Sequence, residues 1–125
     1  GATGWHYGVT AGNIASALRK TFTMTAAEGC AVLDPVAYTA GEPCTVNLGK
    51  YDRYTSARVM WIDKNGTVIG VSSSFQAGKD VDVNTLPLNG TRNGAVSIAL
   101  TVQLCGSASK GAEAFTVVAE NTVIK

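Results

Sequence analysis

The stretch VSIALTVQL, residues 96–104, decides the fold class, because apolar residues alternate with small or polar ones along its whole length. The apolar members share one parity: Val96, Ile98, Leu100, Val102 and Leu104. A period of two over nine positions predicts a β-strand, since successive side chains of a strand point to opposite faces. The other parity holds mostly small residues, so this face is expected to pack on another sheet or subunit, or to face water.

Shorter runs elsewhere in the chain also predict strands, over residues 21–25, 44–48, 56–63, 67–73, 79–83 and 113–124. Lys64-Asn65-Gly66 separates two of these runs and predicts a hairpin turn, because Asn and Gly tolerate positive φ. In the last run, Phe115, Val117, Ala119 and Val123 share one parity. This run is expected to pair with the strand before it, across a loop of about eight residues.

We therefore predict an all-β fold, an antiparallel two-sheet sandwich of immunoglobulin-like or jelly-roll-like type, in one domain over residues 1–125. One short N-terminal helix is expected over residues 13–20, where Asn13 can cap a face made by Ile14, Ala17 and Leu18. The predicted inward residues are Phe22, Met24, Val46, Leu48, Val59, Trp61, Val68, Val81, Val83, Ile98, Leu100, Val102, Phe115 and Val117.

The composition excludes several functional classes. Of the 125 residues, 46% are apolar and 15% are charged, with a net charge of +1, which excludes a disordered chain and a basic groove for nucleic acid. No apolar run is long enough to predict membrane insertion. Abundant Thr, Ser and Gly with little charge favours an extracellular, cell-surface or virion location. Because the chain begins at Gly1 and not Met, we expect a processed or recombinant fragment.

The chain has an odd number of cysteines, namely Cys30, Cys44 and Cys105. In an oxidising compartment one pair can form, in any of three combinations, with one thiol left over. The alternative is three reduced, buried cysteines that pack as small apolar residues. Their spacing matches no zinc motif. Asn65 and Asn89 each begin a glycosylation sequon, but Asn-Gly is also a turn signal.

Catalytic chemistry finds little support in these residues. His6 is the only histidine, it lies in a glycine-flanked terminus, and no Gly-x-Ser-x-Gly motif accompanies it. Asp80 and Asp82 share one strand face, which also suits a solvated edge. Asp80-x-Asp82-x-Asn84 resembles the start of a calcium loop but lacks its later glycine and glutamate. We therefore predict no enzyme, cofactor or metal; a small hydrolase would need a cleft where His6 or the two carboxylates converge.

Aromatic and charged residues mark the candidate binding positions. Tyr51-Asp52-Arg53-Tyr54 is predicted to be a loop, and Tyr and Arg are among the residues that contribute most at interfaces. The alternative is a solvated turn with a local pair between Asp52 and Arg53. Trp5 and Tyr7, at the N-terminus, complete the predicted binding residues, whereas Trp61 falls within a strand and is predicted to be core.

Three fragments resemble bacterial fimbrial subunits: Gly29-Cys30-Ala31-Val32, Cys44-Thr45-Val46-Asn47-Leu48-Gly49, and the run from Ile98 to Cys105. That family has a Cys-x-Val, a Val-x-Leu-Gly and a strand that ends in a second cysteine. The resemblance covers about a fifth of the chain. It implies an immunoglobulin-like domain that assembles with neighbouring subunits.

The leading functional hypothesis is a non-enzymatic structural or adhesive subunit of an extracellular, fimbria-like or virion assembly. It would act through sheet edges and apolar faces, by self-association or by accepting a partner strand. The alternative is a monomeric secreted binding module that recognises carbohydrate or a host protein through the loop from Tyr51 to Tyr54.

Overall fold

The computed structural model of the chain describes residues 5–7, 30–33, 35–51, 53–104 and 112–125. Within these residues the strands are β1 Trp5–Tyr7, β2 Cys30–Leu33, β3 Val36–Ala37, β4 Thr45–Asn47, β5 Ser56–Asp63, β6 Val68–Ser72, β7 Phe75–Gln76, β8 Asp80–Asp82, β9 Leu88–Gly90, β10 Ala95–Gln103 and β11 Val123–Ile124. An α-helix, α1, spans Ala112–Asn121, and a 3-10 helix spans Val83–Thr85. The predicted helix over 13–20, the predicted strand over 21–25, and Phe22 and Met24 lie outside the described residues.

The strands form two antiparallel sheets. The large sheet has the order β1-β2-β10-β5-β6-β9, with β3 beside β10 and β7 beside β5. The small sheet has the order β11-β4-β8. The predicted all-β, antiparallel two-sheet sandwich is therefore confirmed.

Side chains from both sheets and from α1 form the main apolar core. Its buried members are Leu33, Tyr38, Val46, Leu48, Ala57, Val59, Trp61, Phe75, Val83, Ala95, Ile98, Leu100, Val102, Leu104, Ala114, Phe115, Val118 and Ala119. Trp61 is fully buried, as predicted, and Val81 is half-buried at the margin of the cluster. The core thus joins the two sheets and the helix into one packed unit.

A second apolar cluster lies on the other face of the large sheet and consists of Val32, Met60, Ile62, Val68, Val71 and Ala99. Ala99 and Thr101 of β10 are 1% and 4% exposed. At the centre of β10 the small-residue parity therefore does not face water, whereas Gln103 at the end of the strand is exposed. The central strands are buried on both faces.

The predicted hairpin is formed by β5 and β6. Gly66 adopts a φ of +79°, as the turn requires, and its N–H donates to the carbonyl of Asp63 at 3.0 Å. The Asp63 carboxylate also accepts from the backbone N–H groups of Asn65 and Thr67, at 2.9 and 3.0 Å. Local chemistry at this turn therefore sets the register of the pair.

One position of β10 departs from the predicted alternation. The register against β5 shifts between Ala95 and Ser97, so that Val96 is the extra residue of a β-bulge. Val96 is 49% exposed, whereas Ile98 is fully buried. The bulge turns Val96 away from the face that Ile98 shares with Leu100.

The prediction of a strand over residues 113–124 is wrong for most of its length. Residues 112–121 form α1, and only Val123–Ile124 is extended, as β11 beside β4 and not beside β10. Phe115, Val118 and Ala119 are buried at helical spacing, whereas Val117, predicted to be inward, is 37% exposed. The helical periodicity prevails over the strand periodicity because the helix buries these three apolar residues against the core.

Candidate functional site

The loop from Tyr51 to Tyr54 is an exposed aromatic surface at the start of β5. Tyr51 and Tyr54 are 40% and 45% exposed. The Arg53 guanidinium lies over the Tyr54 ring, 4.5 Å from its centroid, and also donates to the Tyr54 hydroxyl. The Tyr51 N–H donates to Thr55 Oγ1 at 3.1 Å, which fastens the base of the loop. Asp52 lies outside the described residues, so its predicted pair with Arg53 stays a prediction.

Trp5 and Tyr7 belong to β1, at an edge of the large sheet. In register, Trp5 is opposite Leu33 and Tyr7 is opposite Ala31. Since β2 and β10 lie between β1 and β5, three spacings of about 4.8 Å place β1 roughly 14 Å from β5. The predicted binding residues therefore belong to separate elements and not to one continuous loop.

A cavity of about 400 Å³ lies beside the ends of both sheets, and we call it the lateral cavity. Its lining residues are Val36, Ala37, Tyr38, Thr39, Glu42, Pro43, Cys44, Ile124 and Lys125. Val36 and Ala37 are β3 of the large sheet, and Ile124 belongs to β11 of the small sheet. The cavity is thus bordered by a two-residue strand from each sheet.

Hydrogen bonds hold one wall of the lateral cavity in place. Tyr38 is 6% exposed, and its hydroxyl donates to Asn84 Oδ1 at 2.6 Å. The side-chain amide of Asn84 in turn donates to the carbonyl of Glu42 at 2.9 Å. This chain connects the cavity wall to the 3-10 helix, so the cavity is largely preformed.

Cys44 is half-buried in the same cavity and carries a free thiol. Burial, assisted by the nearby negative charge of Asp82, raises the pKa of this thiol above its ordinary value. The neutral thiol is therefore favoured over the nucleophilic thiolate. Neither of the two possible pairings that involve Cys44 is formed, and the side chains of Cys30 and Cys105 lie outside the described part of the chain.

A second cavity, of about 330 Å³, lies on the outward face of the small sheet, and we call it the outer cavity. Its lining residues are Thr45, Asn47, Asp80, Asn121, Val123 and Lys125. Thr45 and Asn47 alternate with the fully buried Val46, which faces the main core. Five of the six lining residues are therefore polar or charged, and the alternation of β4 turns Thr45 and Asn47 outward.

Asp80 and Asp82 have different partners although they share one strand face. Asp80 Oδ1 accepts from Asn47 Nδ2 at 3.0 Å, whereas Asp82 Oδ1 caps the 3-10 helix by accepting from Asn84 N at 2.9 Å. Neither arrangement is that of a paired acid and base. Among the residues that the structure describes, no three His, Cys, Asp or Glu side chains are grouped to hold a metal ion.

The described segments contain no helix that is both long and apolar enough to cross a membrane.

Both cavities were missed by the reasoning from sequence. The outer cavity brings Asn47 and Asp80 together across β4 and β8, and the lateral cavity brings Val36 and Ile124 together from opposite sheets. For the outer cavity, the only signal in the sequence was the alternation of polar residues around Val46 and Val81. Nothing in the sequence indicated that these two strands are neighbours.

Comparison with family models, curated proteins and solved structures finds no match to this chain. The geometry of the loop and of the two cavities is therefore what bears on function.

Proposed function

We propose that the chain is a non-enzymatic structural and adhesive subunit of an extracellular or virion assembly, in which an extended segment of a second copy enters the lateral cavity. The supporting observation is the position of this cavity of about 400 Å³, between β3 of one sheet and β11 of the other. Its volume falls in the range of sites that enclose a ligand.

The neighbouring strands suit the addition of a strand. Among the described residues, β3 pairs only with β10 and β11 only with β4, which leaves one side of each for another chain. Val36, Tyr38 and Ile124 line the cavity and offer apolar contacts to alternate side chains of an entering segment.

Charge is consistent with contact between copies. The chain has a net charge of only +1, so two copies repel each other weakly. The opposite edge of the small sheet differs, because β8 carries Asp80 and Asp82, and charged edge residues discourage pairing. Strand addition is therefore favoured at the β11 side over the β8 side.

The test compares Ala37→Arg with Ala40→Arg. Both alanines are exposed, but only Ala37 lines the lateral cavity. In sedimentation measured over a range of concentrations, we expect the wild type to associate, Ala37→Arg to stay monomeric and Ala40→Arg to behave like the wild type. A monomeric wild type at every concentration, or equal effects of the two substitutions, would contradict the proposal.

A second function, ligand recognition by the loop from Tyr51 to Tyr54, is supported by the Arg53 guanidinium over the Tyr54 ring. This contact holds one exposed aromatic side chain in place before a ligand arrives, which lowers the entropic cost of binding. Such surfaces stack on sugar rings or anchor a protein partner.

A glycan array and a pull-down with the Tyr51→Ala/Tyr54→Ala double variant test this function. We expect lost binding with an unchanged circular-dichroism spectrum. The Tyr51→Phe/Tyr54→Phe variant keeps both rings and is expected to keep binding where stacking dominates. Equal binding by the wild type and the alanine double variant would contradict ligand recognition by the loop.

A further inference from the structure

We propose that the outer cavity binds one neutral pyranose unit of a glycan. This inference deepens the second function proposed above, and rests on it, because it assigns a ligand class to a surface that adjoins the loop. It does not depend on assembly through the lateral cavity.

The strand register places most of the residues that line the outer cavity in two rows across the small sheet. One row runs from Val123 through Asn47 to Asp80. The neighbouring row contains Thr45, which is opposite Asp82 in register. On its other side, Thr45 exchanges two backbone hydrogen bonds with Lys125, at 3.0 and 2.9 Å. The lining of the cavity therefore combines an amide, a hydroxyl, a carboxylate and an ammonium group from two neighbouring rows of the sheet.

The bonded pair of Asn47 and Asp80 suits adjacent hydroxyl groups. Asn47 Nδ2 donates to Asp80 Oδ1 at 3.0 Å, which fixes the relative position of the two side chains. A carboxylate has about four acceptor positions in all, so Asp80 keeps the capacity to accept from sugar hydroxyls through charge-assisted bonds. The amide of Asn47 still has its carbonyl oxygen as an acceptor and a second N–H as a donor.

One side of the cavity supplies both a polar and an apolar contact. Asn121 Nδ2 donates to the carbonyl of Val117 at 2.8 Å, which anchors this amide at the end of α1. Val123 is 40% exposed beside it. A pyranose has C–H groups on its ring faces and hydroxyls around its edge, so this combination matches its two kinds of surface.

The charges lining the cavity favour a neutral ligand. Asp80 and Lys125 are the charged residues of the lining and carry opposite signs. A phosphate or an acidic sugar would gain from Lys125 but would be repelled by Asp80. A neutral polyhydroxylated ring can accept from the ammonium and donate to the carboxylate at the same time.

The outer cavity adjoins the aromatic loop. A Cβ placed on Gly49 would lie 2.9 Å from Cβ of Asn121, so the backbone at Gly49 borders the cavity wall. Tyr51 is two residues further on, at most about 7 Å along the chain. The start of the loop therefore lies near the cavity, where further units of a bound glycan can meet it.

The experiment is a titration of the ¹⁵N-labelled full chain with neutral methyl glycosides of common hexoses, followed by two-dimensional NMR. We expect shifts of the side-chain amide signals of Asn47 and Asn121, with millimolar affinity. Asp80→Asn is expected to weaken binding about tenfold or more. Asn121→Ala, at an exposed position, is a second variant that does not alter the sheet.

Glu42→Gln is the matched control, because it removes one negative charge from the lining of the other cavity. It is expected to leave glycoside binding unchanged. Binding that survives both Asp80→Asn and Asn121→Ala but is lost in Tyr51→Ala would overturn this inference and leave recognition by the loop intact. The inference also fails if no glycoside shifts the Asn47 and Asn121 amides, or if inorganic phosphate shifts them and the glycosides do not.

Discussion

Gly49 lies where the end of α1 comes closest to the small sheet. A Cβ at this position would lie 2.3 Å from the carbonyl oxygen of Val118. The Gly49 N–H also donates at 3.0 Å to Oγ1 of Thr122, which is fully buried and donates at 2.7 Å to that same carbonyl. Glycine is therefore required at residue 49 by space, and one threonine hydroxyl joins helix to sheet.

We predict that Gly49→Ala lowers the free energy of unfolding by about 3 kcal/mol, because the backbone of α1 must move to accept the methyl group. Gly66→Ala is the comparison: its φ is +79°, but a Cβ there meets nothing within 4 Å, so only backbone strain of about 1 kcal/mol is expected. Urea unfolding of both variants measures the difference. A larger loss for Gly66→Ala would contradict this account.

Cys44 provides a second prediction at the residue scale. Burial and, to a smaller extent, the negative charge of Asp82 raise the pKa of its thiol above the ordinary value. Asp82→Asn should lower this pKa and speed alkylation of Cys44 in alkaline buffer, while an Asn side chain can still cap the 3-10 helix. Peptide mass spectrometry follows the rate at Cys44, and Asp80→Asn, on the same strand, is the control.

The same shift has a defined effect on stability. Below the ordinary thiol pKa, Cys44 is neutral in both the folded and the unfolded chain, and its contribution to stability is fully present. As the pH rises above that value, the unfolded chain loses the proton first, and the contribution declines up to the folded-state pKa. An Asp82→Asn variant with unchanged alkylation kinetics would show that the carboxylate does not act on the thiol.

At the scale of elements, α1 is where two periodicities compete. Phe115, Val117 and Ala119 match a strand, whereas Phe115, Val118 and Ala119 match one face of a helix. Glu113 in the first turn favours the helix through the helix dipole. At the other end, bonds from Thr122 and Asn121 satisfy carbonyl groups of the last turn.

The helix predicts opposite outcomes at two adjacent valines. Val118 is 1% exposed and Val117 is 37% exposed. Val118→Ala should cost about 2 kcal/mol of unfolding free energy because it leaves a cavity in the main core, whereas Val117→Ala should stay within about 0.5 kcal/mol of the wild type. Thermal or urea unfolding measures both losses. A larger loss for Val117→Ala than for Val118→Ala would support a strand.

At the scale of the whole molecule, the large sheet has a buried cluster on each face. Met60 belongs to the cluster on the face away from the main core and is 1% exposed. Burial on both faces makes the central strands the most protected part of the fold. The loop and the two cavities lie outside this sheet centre.

We predict that Met60→Ala lowers the free energy of unfolding by about 3 kcal/mol relative to the wild type, and that this loss is the same at low and at high protein concentration. Val96→Ala, at a residue 49% exposed on the bulge, should change the free energy of unfolding by less than about 0.5 kcal/mol. A cost for Met60→Ala that appears only at high concentration would mean that another copy covers this face.

Alternation, as in residues 96–104, and the Asn65-Gly66 turn were enough to predict several of the strands, the hairpin and the all-β sandwich class, because both signals depend on residues close together in the chain. Periodicity could not choose between helix and strand over residues 112–121. Which of the two forms depends on which side chains the core can accept, and the core is built by strands that are distant in the sequence.

The candidate sites show the same difference between features that depend on residues close together in the chain and features that depend on distant ones. The residue types from Tyr51 to Tyr54 were enough to predict a polar, aromatic loop. The contacts of Asn47 with Asp80, 33 residues away, and of Gly49 with Thr122, 73 residues away, follow only from the folded arrangement. Such pairs depend on the order of strands in each sheet and on how the sheets pack, and alternation within a single strand carries no information about which strand will be its neighbour.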